Sequence, residues 1–338
     1  MDVLITGGNG LLGRQVVGAL QSRGDQVRVL ALADEDTRWL EERGAAVFRG
    51  DIRQPETLAA AMSGVANVLH LADLRGVWRT LEEYRSINVM GTENVCRAAL
   101  DEGVERMVHV SSWTVYGMAL GIPAREEFLL RPFKEPCAVT KAAGDLAVQR
   151  MIVDNRLQAV IVRPGTFFGP GDRLHFGRMA DCLSAGKGVI VGSGENALPF
   201  VYVSDVVDGL LLALDHPHAV GQAYNISNDR PLTQRELFDA IAREVGVGPP
   251  SLHIPYRPLY AAGYLAERLA LATRSRRQPV VTRLGVQLFG TDNRHAIDKA
   301  RRELGYRPRV DLREGVRLTA DWYRAQGQPR AAAPSVVG

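Results

Sequence analysis

Val3-Leu4-Ile5-Thr6-Gly7-Gly8-Asn9-Gly10-Leu11-Leu12-Gly13 is the stretch whose reading decides the fold. An apolar run passes into a glycine turn and then, from Leu11 to Ser22, into a pattern of helical period, so a strand hands over to a helix with little side-chain bulk between them. Gly7, Gly10 and Gly13, with Asn9, Leu11 and Leu12 among them, allow backbone N–H groups to approach a pyrophosphate at the positive end of that helix. The competing reading is a glycine turn that only packs helix on sheet, and this motif alone does not separate the two.

Outward from the loop, short apolar runs alternate with helical patterns. Val27-Leu32, Ala46-Phe48, Val68-Leu71, Met107-Val110 and Ala159-Val162 read as strands; Glu35-Arg43, Glu56-Met62, Leu81-Leu100 and Val139-Asn155 read as the helices between them. Continuous apolar strands separated by helices predict an α/β protein with a doubly wound parallel sheet, covered on both faces. The glycine- and proline-rich segment from Pro164 to Asp172 ends the alternation. The expected division is a Rossmann domain over 1–165 with a returning segment at about 198–225, a smaller mixed α/β substrate lobe from 166–197 and 226–325, and a flexible tail over 326–338.

The 338 residues are 46% hydrophobic and 23% charged, which excludes a disordered or collagen-like chain. A net charge of +3, dispersed along the sequence, gives no footprint for nucleic acid, so a small-molecule partner is expected. Cys96, Cys137 and Cys182 form no CxxC pair, and the histidines show no metal-ligand spacing, so neither a disulfide framework nor a metal is predicted. With no basic leader before the first strand, a cytoplasmic protein is expected. The apolar stretch from Leu259 to Thr273 is interrupted by Glu267 and Arg268, and reads better as a lid helix than as a membrane-surface element, despite the basic run Arg274-Ser275-Arg276-Arg277.

A dinucleotide site that takes NAD wants a carboxylate at the end of the second strand. Ala31 stands at that position and Asp34 three residues later, while Arg14, Arg28 and Arg38 are available for a 2′-phosphate, so NAD and NADP both remain open. Asp34-Glu35-Asp36 reads equally well as the acidic first turn of the following helix.

Later segments recur in a familiar order. Gly50-Asp51-Ile52, Leu69-His70-Leu71-Ala72, Asn88-Val89-Met90-Gly91-Thr92, Ser111-Ser112-Trp113-Thr114-Val115-Tyr116-Gly117, Lys141, Arg163-Pro164 and Phe200-Val201-Tyr202-Val203-Ser204-Asp205 resemble the extended short-chain dehydrogenase/reductases, the NAD-dependent epimerase/dehydratase family, over roughly residues 1–325. Asn225-Ile226-Ser227-Asn228 and His253-Ile254-Pro255-Tyr256 are similar to the branch of 3β-hydroxysteroid and sterol-4-carboxylate 3-dehydrogenases. The resemblance implies NAD or NADP as cofactor. It implies Asp51 and Ile52 near the adenine, Leu71, Ala72 and Asn88 near the nicotinamide ribose, Pro164 near the nicotinamide, and Lys141 on that ribose. Ser112 and Thr114 would orient a substrate oxygen. It also implies a homodimer through the helices at 81–100 and 139–154.

In that family a tyrosine four residues before the lysine serves as general acid/base; here the position holds Cys137, and no tyrosine lies between Tyr116 and Tyr202. Lys141 is one of only four lysines among 41 basic residues, so composition alone does not account for it. Three readings stand. Lys141 lowers the Cys137 thiol pKa and the thiol acts as base or nucleophile. Alternatively Thr114, Tyr202, His70 or water moves the proton, and the small residue makes room for a bulky hydrophobic, alicyclic or sugar-like substrate. In the third, hydroxyl–ketone chemistry is lost and the cleft serves a non-redox reaction such as elimination, isomerisation or cyclisation, or binds nucleotide without turnover. His70, at the end of a buried strand, reads as a core side chain sooner than as a catalyst.

Overall fold

A computed structural model describes residues 1–273, 275 and 277–326. The tail expected over 326–338 lies, after Gln326, outside the described residues, as do Arg274 and Arg276 of the basic run. Six strands, β1 (Asp2–Thr6), β2 (Gln26–Ala31), β3 (Ala46–Arg49), β4 (Asn67–His70), β5 (Arg106–Val110) and β6 (Ala159–Pro164), join the later edge strand Ala223–Ile226 in one sheet. Across the sheet the order runs edge strand, β6, β5, β4, β1, β2, β3, and every pairing is parallel. The chain winds from β1 outward to β3, then returns to β4 on the other side of β1, so the winding reverses between β1 and β4.

Strand pleating sorts the apolar side chains to both faces. Val3 and Ile5 enter one core with Val16 and Leu20 of the helix Leu11–Ser22 and Leu210 of the helix Val203–Asp215. Leu4 enters a second core with Val95 of the helix Thr92–Asp101 and Val148 of the helix Pro136–Asn155. Each fully buried Val, Leu or Ile contributes about 1.5–3 kcal/mol, so the double-sided cover is the main stabilising element. Outside that sheet the chain forms, among other elements, the helices Gln234–Val245, Tyr256–Ala272, Arg283–Gly290 and Leu312–Ala325 and two short parallel strand pairs.

The helix expected across 81–100 is not continuous. It runs as α-helix over Leu81–Arg85, widens to a π-helical segment over Ser86–Gly91, and resumes as α-helix over Thr92–Asp101. The cause is Asn88, which is buried in the widened turn. Its Oδ1 accepts from the Leu74 N–H at 2.7 Å, and its Nδ2 donates to the Leu74 carbonyl at 3.0 Å and to Thr140 Oγ1 at 3.0 Å. The Asn88 carbonyl lies so close to the facing helix that a Cβ on Gly144 would stand 2.4 Å from it. A π-bulge thus fixes the loop after β4 to the helix that carries Lys141. Gly144→Ala is expected to lower the unfolding free energy by about 1–3 kcal/mol, because backbone rather than a flexible side chain must give way. Urea unfolding checks it, and an unchanged midpoint would count against this packing.

Candidate functional site

The candidate site residues follow the C-terminal ends of the parallel strands, the edge at which such sheets bind ligands. Gly7 to Gly13 follow β1, Asp34 follows β2, Asp51 and Ile52 follow β3, Leu71 and Ala72 follow β4, Ser112 and Thr114 follow β5, and Pro164 ends β6. Gly7 has φ +74°, and a Cβ there would stand 2.8 Å from the Ala72 nitrogen; a Cβ on Gly13 would stand 2.2 Å from the Gly7 carbonyl oxygen. Gly10 begins the helix with no side-chain cap, so the N–H groups of its first turn are left to a ligand. That uncapped cradle fits a pyrophosphate.

Around the expected adenosine end the arginines divide. Arg14 donates to Asn9 Oδ1 at 2.6 Å and lies over the Trp39 ring, and Asn9 in turn donates to the Asp36 carbonyl at 2.8 Å, so Arg14 belongs to this end. Arg28 does not: its guanidinium donates to the Ser63 carbonyl at 2.8 Å and reaches Asp2 at the start of β1, the opposite end of the sheet. The acidic triplet is likewise not a helix first turn. The helix spans Arg38–Glu42 after Thr37, and Asp36 precedes it, paired with exposed Arg38. Ala31 is buried, and Asp34 is exposed. Asp51, which the family resemblance implies near the adenine, is paired with Arg53.

At the other end, Ser112 Oγ and Thr114 Oγ1 are 2.9 Å apart, on a 3-10 turn running Trp113–Tyr116 directly after β5. Lys141 is buried on the helix Pro136–Asn155, its Nζ donating to the Val110 carbonyl at 2.6 Å. The same ammonium is 3.3 Å from Oδ2 of Asp73, a residue that the sequence reading passed over although it follows Leu71-Ala72 directly. Burial alone would raise the Asp73 pKa, but Lys141 and then Arg75 outweigh it and hold this carboxyl below its ordinary range.

Cys137 stands one turn before Lys141, its thiol 3.7 Å from the Leu74 carbonyl. The expected acidification by Lys141 is not what these surroundings produce. Burial, followed by Glu135 and Asp73, pushes the thiol pKa up, and Lys141 opposes without prevailing. His70 is a satisfied core side chain, with Nδ1 2.7 Å from Thr6 Oγ1 and Nε2 3.0 Å from Thr92 Oγ1. Burial and then Lys141 bring its pKa down to about 3. Tyr202 lies in an aromatic cluster, edge-on to Phe168 at 5.7 Å between centroids. Cys96 is core.

A cleft of about 630 Å³ opens at the end of the turn Trp113–Tyr116, and Ser112 and Thr114 are not among the residues that line it. Tyr116, at the end of that turn, lines it with Phe128, Leu129, Phe133, Tyr260 and Arg283. Tyr260 brings the helix Tyr256–Ala272 to the cleft, and on that helix buried Glu267 accepts from Arg283 Nε at 2.6 Å. Glu267 therefore faces inward rather than interrupting an outer surface. No described helix is long and apolar enough to cross a membrane.

Residues 3–227 match the NAD dependent epimerase/dehydratase family. The chain belongs to that family. It is 34% identical over 327 residues to 2-alkyl-3-oxoalkanoate reductase of Stenotrophomonas maltophilia (strain K279a), covering 94% of this chain and 98% of the relative. It is 29% identical over 328 residues to the mouse (Mus musculus) sterol-4-alpha-carboxylate 3-dehydrogenase, decarboxylating, covering 93% and 89%. Among solved structures, the UDP-glucose 4-epimerase of Thermus thermophilus in complex with NAD superposes with a TM-score of 0.74 at 27% identity, covering 96% of this chain and 99% of that one. The family membership makes the protein an enzyme of the NAD(P)-dependent oxidoreductase and epimerase type, and the parallel sheet above is its Rossmann fold.

Within this family member the thiols should separate by environment. Iodoacetamide at pH 8 is expected to label exposed Cys182 first, to label half-buried Cys137 slowly because its thiol stays protonated, and to reach buried Cys96 only on unfolding, as read by peptide mass spectrometry. Rapid labelling of Cys137 in the native protein would restore the acidified-thiol reading.

Proposed function

We propose that the enzyme interconverts a hydroxyl and a ketone on a largely apolar substrate lodged in the 630 Å³ cleft. The observation that carries this reading is the pair of hydroxyls of Ser112 and Thr114, 2.9 Å apart, on the edge that also bears the glycine loop, at a turn whose last residue, Tyr116, lines the cleft with Phe128, Leu129 and Phe133. The backbone of Gly7, Asn9, Gly10, Leu11, Leu12 and Gly13 would hold the pyrophosphate. Asp34 or Arg14 would meet the adenosine ribose, and Asp51 and Ile52 the adenine. Leu71, Ala72, Asn88, Lys141 and Pro164 would surround the nicotinamide end. A bound nicotinamide supplies or accepts hydride; the chain's own part is to orient the substrate oxygen from Ser112 and Thr114. The Rossmann portion, 1–165 with 198–225, would present the nucleotide, and 166–197 with 226–325 would cover the substrate.

Support for an apolar ketone or alcohol comes from two relatives named for a 2-alkyl-3-oxoalkanoate and for a sterol-4-alpha-carboxylate. Cys137 at the family's tyrosine position makes the site atypical: its thiol is shorter than a phenol and is kept protonated, so the substrate proton passes through the hydroxyl pair and water. Pairing of two chains through the segments 81–100 and 139–154 is part of the proposal, since Met90, Leu146 and Val153 are exposed on them.

With a 2-alkyl-3-oxoalkanoate and a sterol ketone as probes, oxidation of NADH or NADPH is expected, and Ser112→Ala should lower kcat/KM by roughly 100-fold. Cys137→Tyr should raise ketone reduction. Nucleotide binding without any absorbance change across the ketone panel would favour the non-redox reading instead. Sedimentation equilibrium should give a dimer's mass, and a monomer would remove that part of the proposal.

A further inference from the structure

Two cations meet at the end of β4, Lys141 and Arg75, and one carboxylate lies between them. Asp73 Oδ2 is 3.3 Å from Lys141 Nζ and its Oδ1 is 3.5 Å from Arg75 Nε; Arg75 in turn lies over the Phe167 ring at 4.5 Å. Lys141 is buried and the Asp73 side chain is 16% exposed, so water screens this pair poorly, whereas the Arg75 side chain is 34% exposed and better screened. The backbone beside it is fixed, because Asn88 clamps both polar groups of Leu74. Of the other nearby groups, Glu135 is a further acid, acting on the Cys137 thiol at the start of the same helix. Burial holds His70 and His109 neutral, and the Cys137 thiol keeps its proton. Among the described residues, Asp73 is the one acidic group ion-paired with Lys141.

A dinucleotide laid across the switch point, with its adenosine half toward β2 and β3, brings its nicotinamide half over β4, β5 and β6. The oxidised nicotinamide ring carries a positive charge and the reduced ring carries none. A fixed charge beside the ring therefore acts on one redox form and is nearly silent toward the other. Unopposed, Lys141 and Arg75 would repel the oxidised ring.

We infer that Asp73 is the counter-ion that lets this site hold oxidised nicotinamide, offsetting Lys141 and Arg75 and so setting the relative affinity for the two redox forms. The inference rests on the nucleotide reading above. It makes Asp73 a positioning and charge-balancing residue for the nicotinamide end, with no proton transferred to or from it.

The test is calorimetric titration of the full chain with NAD+, NADH, NADP+ and NADPH, for the unaltered protein and for Asp73→Asn, which keeps the shape and removes the charge. In the pair that binds more tightly, Asp73→Asn is expected to raise the ratio of the oxidised-form Kd to the reduced-form Kd by about tenfold. A purely structural role would weaken both forms alike and leave the ratio where it was. An unchanged ratio overturns this assignment alone; failure of the unaltered protein to bind any of the four overturns the nucleotide reading and this assignment with it. Should Asp73→Asn not fold, Lys141→Met carries the test: with the ammonium removed and the carboxylate kept, the ratio must move the other way, and no movement overturns the assignment.

Discussion

The ion pair of Asp145 with Arg163 is the contact on which the site's geometry depends. Both side chains are buried, and Arg163 Nε lies 2.8 Å from Asp145 Oδ2. A buried pair is worth little unless its remaining hydrogen-bonding capacity is used, and breaking one costs about 3–5 kcal/mol. Here it is used. Ser111 donates to Asp145 at 2.6 Å, Gln149 donates to it at 2.7 Å, and Arg163 donates to the Tyr116 hydroxyl at 2.8 Å. Tyr116 passes the chain on to Asn225 Oδ1 at 2.7 Å, and Asn225 Nδ2 donates to the carbonyls of Ala124 and Ala296. One network thus ties β5, β6, the Lys141 helix, the edge strand and the segments that border the cleft.

Because Asp145 is one helical turn after Lys141, on the same side of the helix, the network also sets the position of the lysine. The ammonium then finds the Val110 carbonyl at the end of β5 and Asp73 at the end of β4. Two adjacent strand ends and one helix are thereby joined through a single charge. The Ser112 and Thr114 hydroxyls follow immediately, since they leave β5 two and four residues after Val110. Placement of the substrate oxygen is in this sense a consequence of where a buried helix is pinned.

The sheet was legible because its signal is periodic: apolar strands of four to six residues, each followed by a turn or helix, leave few alternatives to a parallel doubly wound order. The glycine loop was legible because Gly7 and Gly13 occupy places where a Cβ would strike backbone. What escaped was charge placement. Arg28 was grouped with Arg14 by residue type, yet strand direction sends it to the far end of the sheet. Asp73 escaped because a carboxylate in a loop is ordinarily solvated, and only the fold shows that Lys141 is 3.3 Å away. A signal did exist for Arg163: a charged residue closing the apolar run Val160-Ile161-Val162 needs a buried partner, and Asp145 is spaced to supply it. The π-helical turn had no comparable signal, since Asn88 becomes a clamp only once the Leu74 loop is beside it.

Burial explains why the thiol cannot inherit the phenol's work by proximity to lysine. An ammonium acidifies a neighbour only by what it exceeds in desolvation and opposing charge. Lys141 already neutralises Asp73, and Glu135 faces the thiol from the same helix end, so little of its field is left for Cys137. The shifts around the site point outward from neutrality: His70 down to about 3, Asp73 down, Cys137 up, and Tyr116 up to about 12. Glu135 is the exception, since burial raises its carboxyl toward neutrality while the Ala138 N–H, donating to it at 3.1 Å, partly resists. Glu135 aside, these shifted groups keep one protonation state near neutrality, so shape and the fixed hydroxyl pair weigh more in substrate selection than their titration.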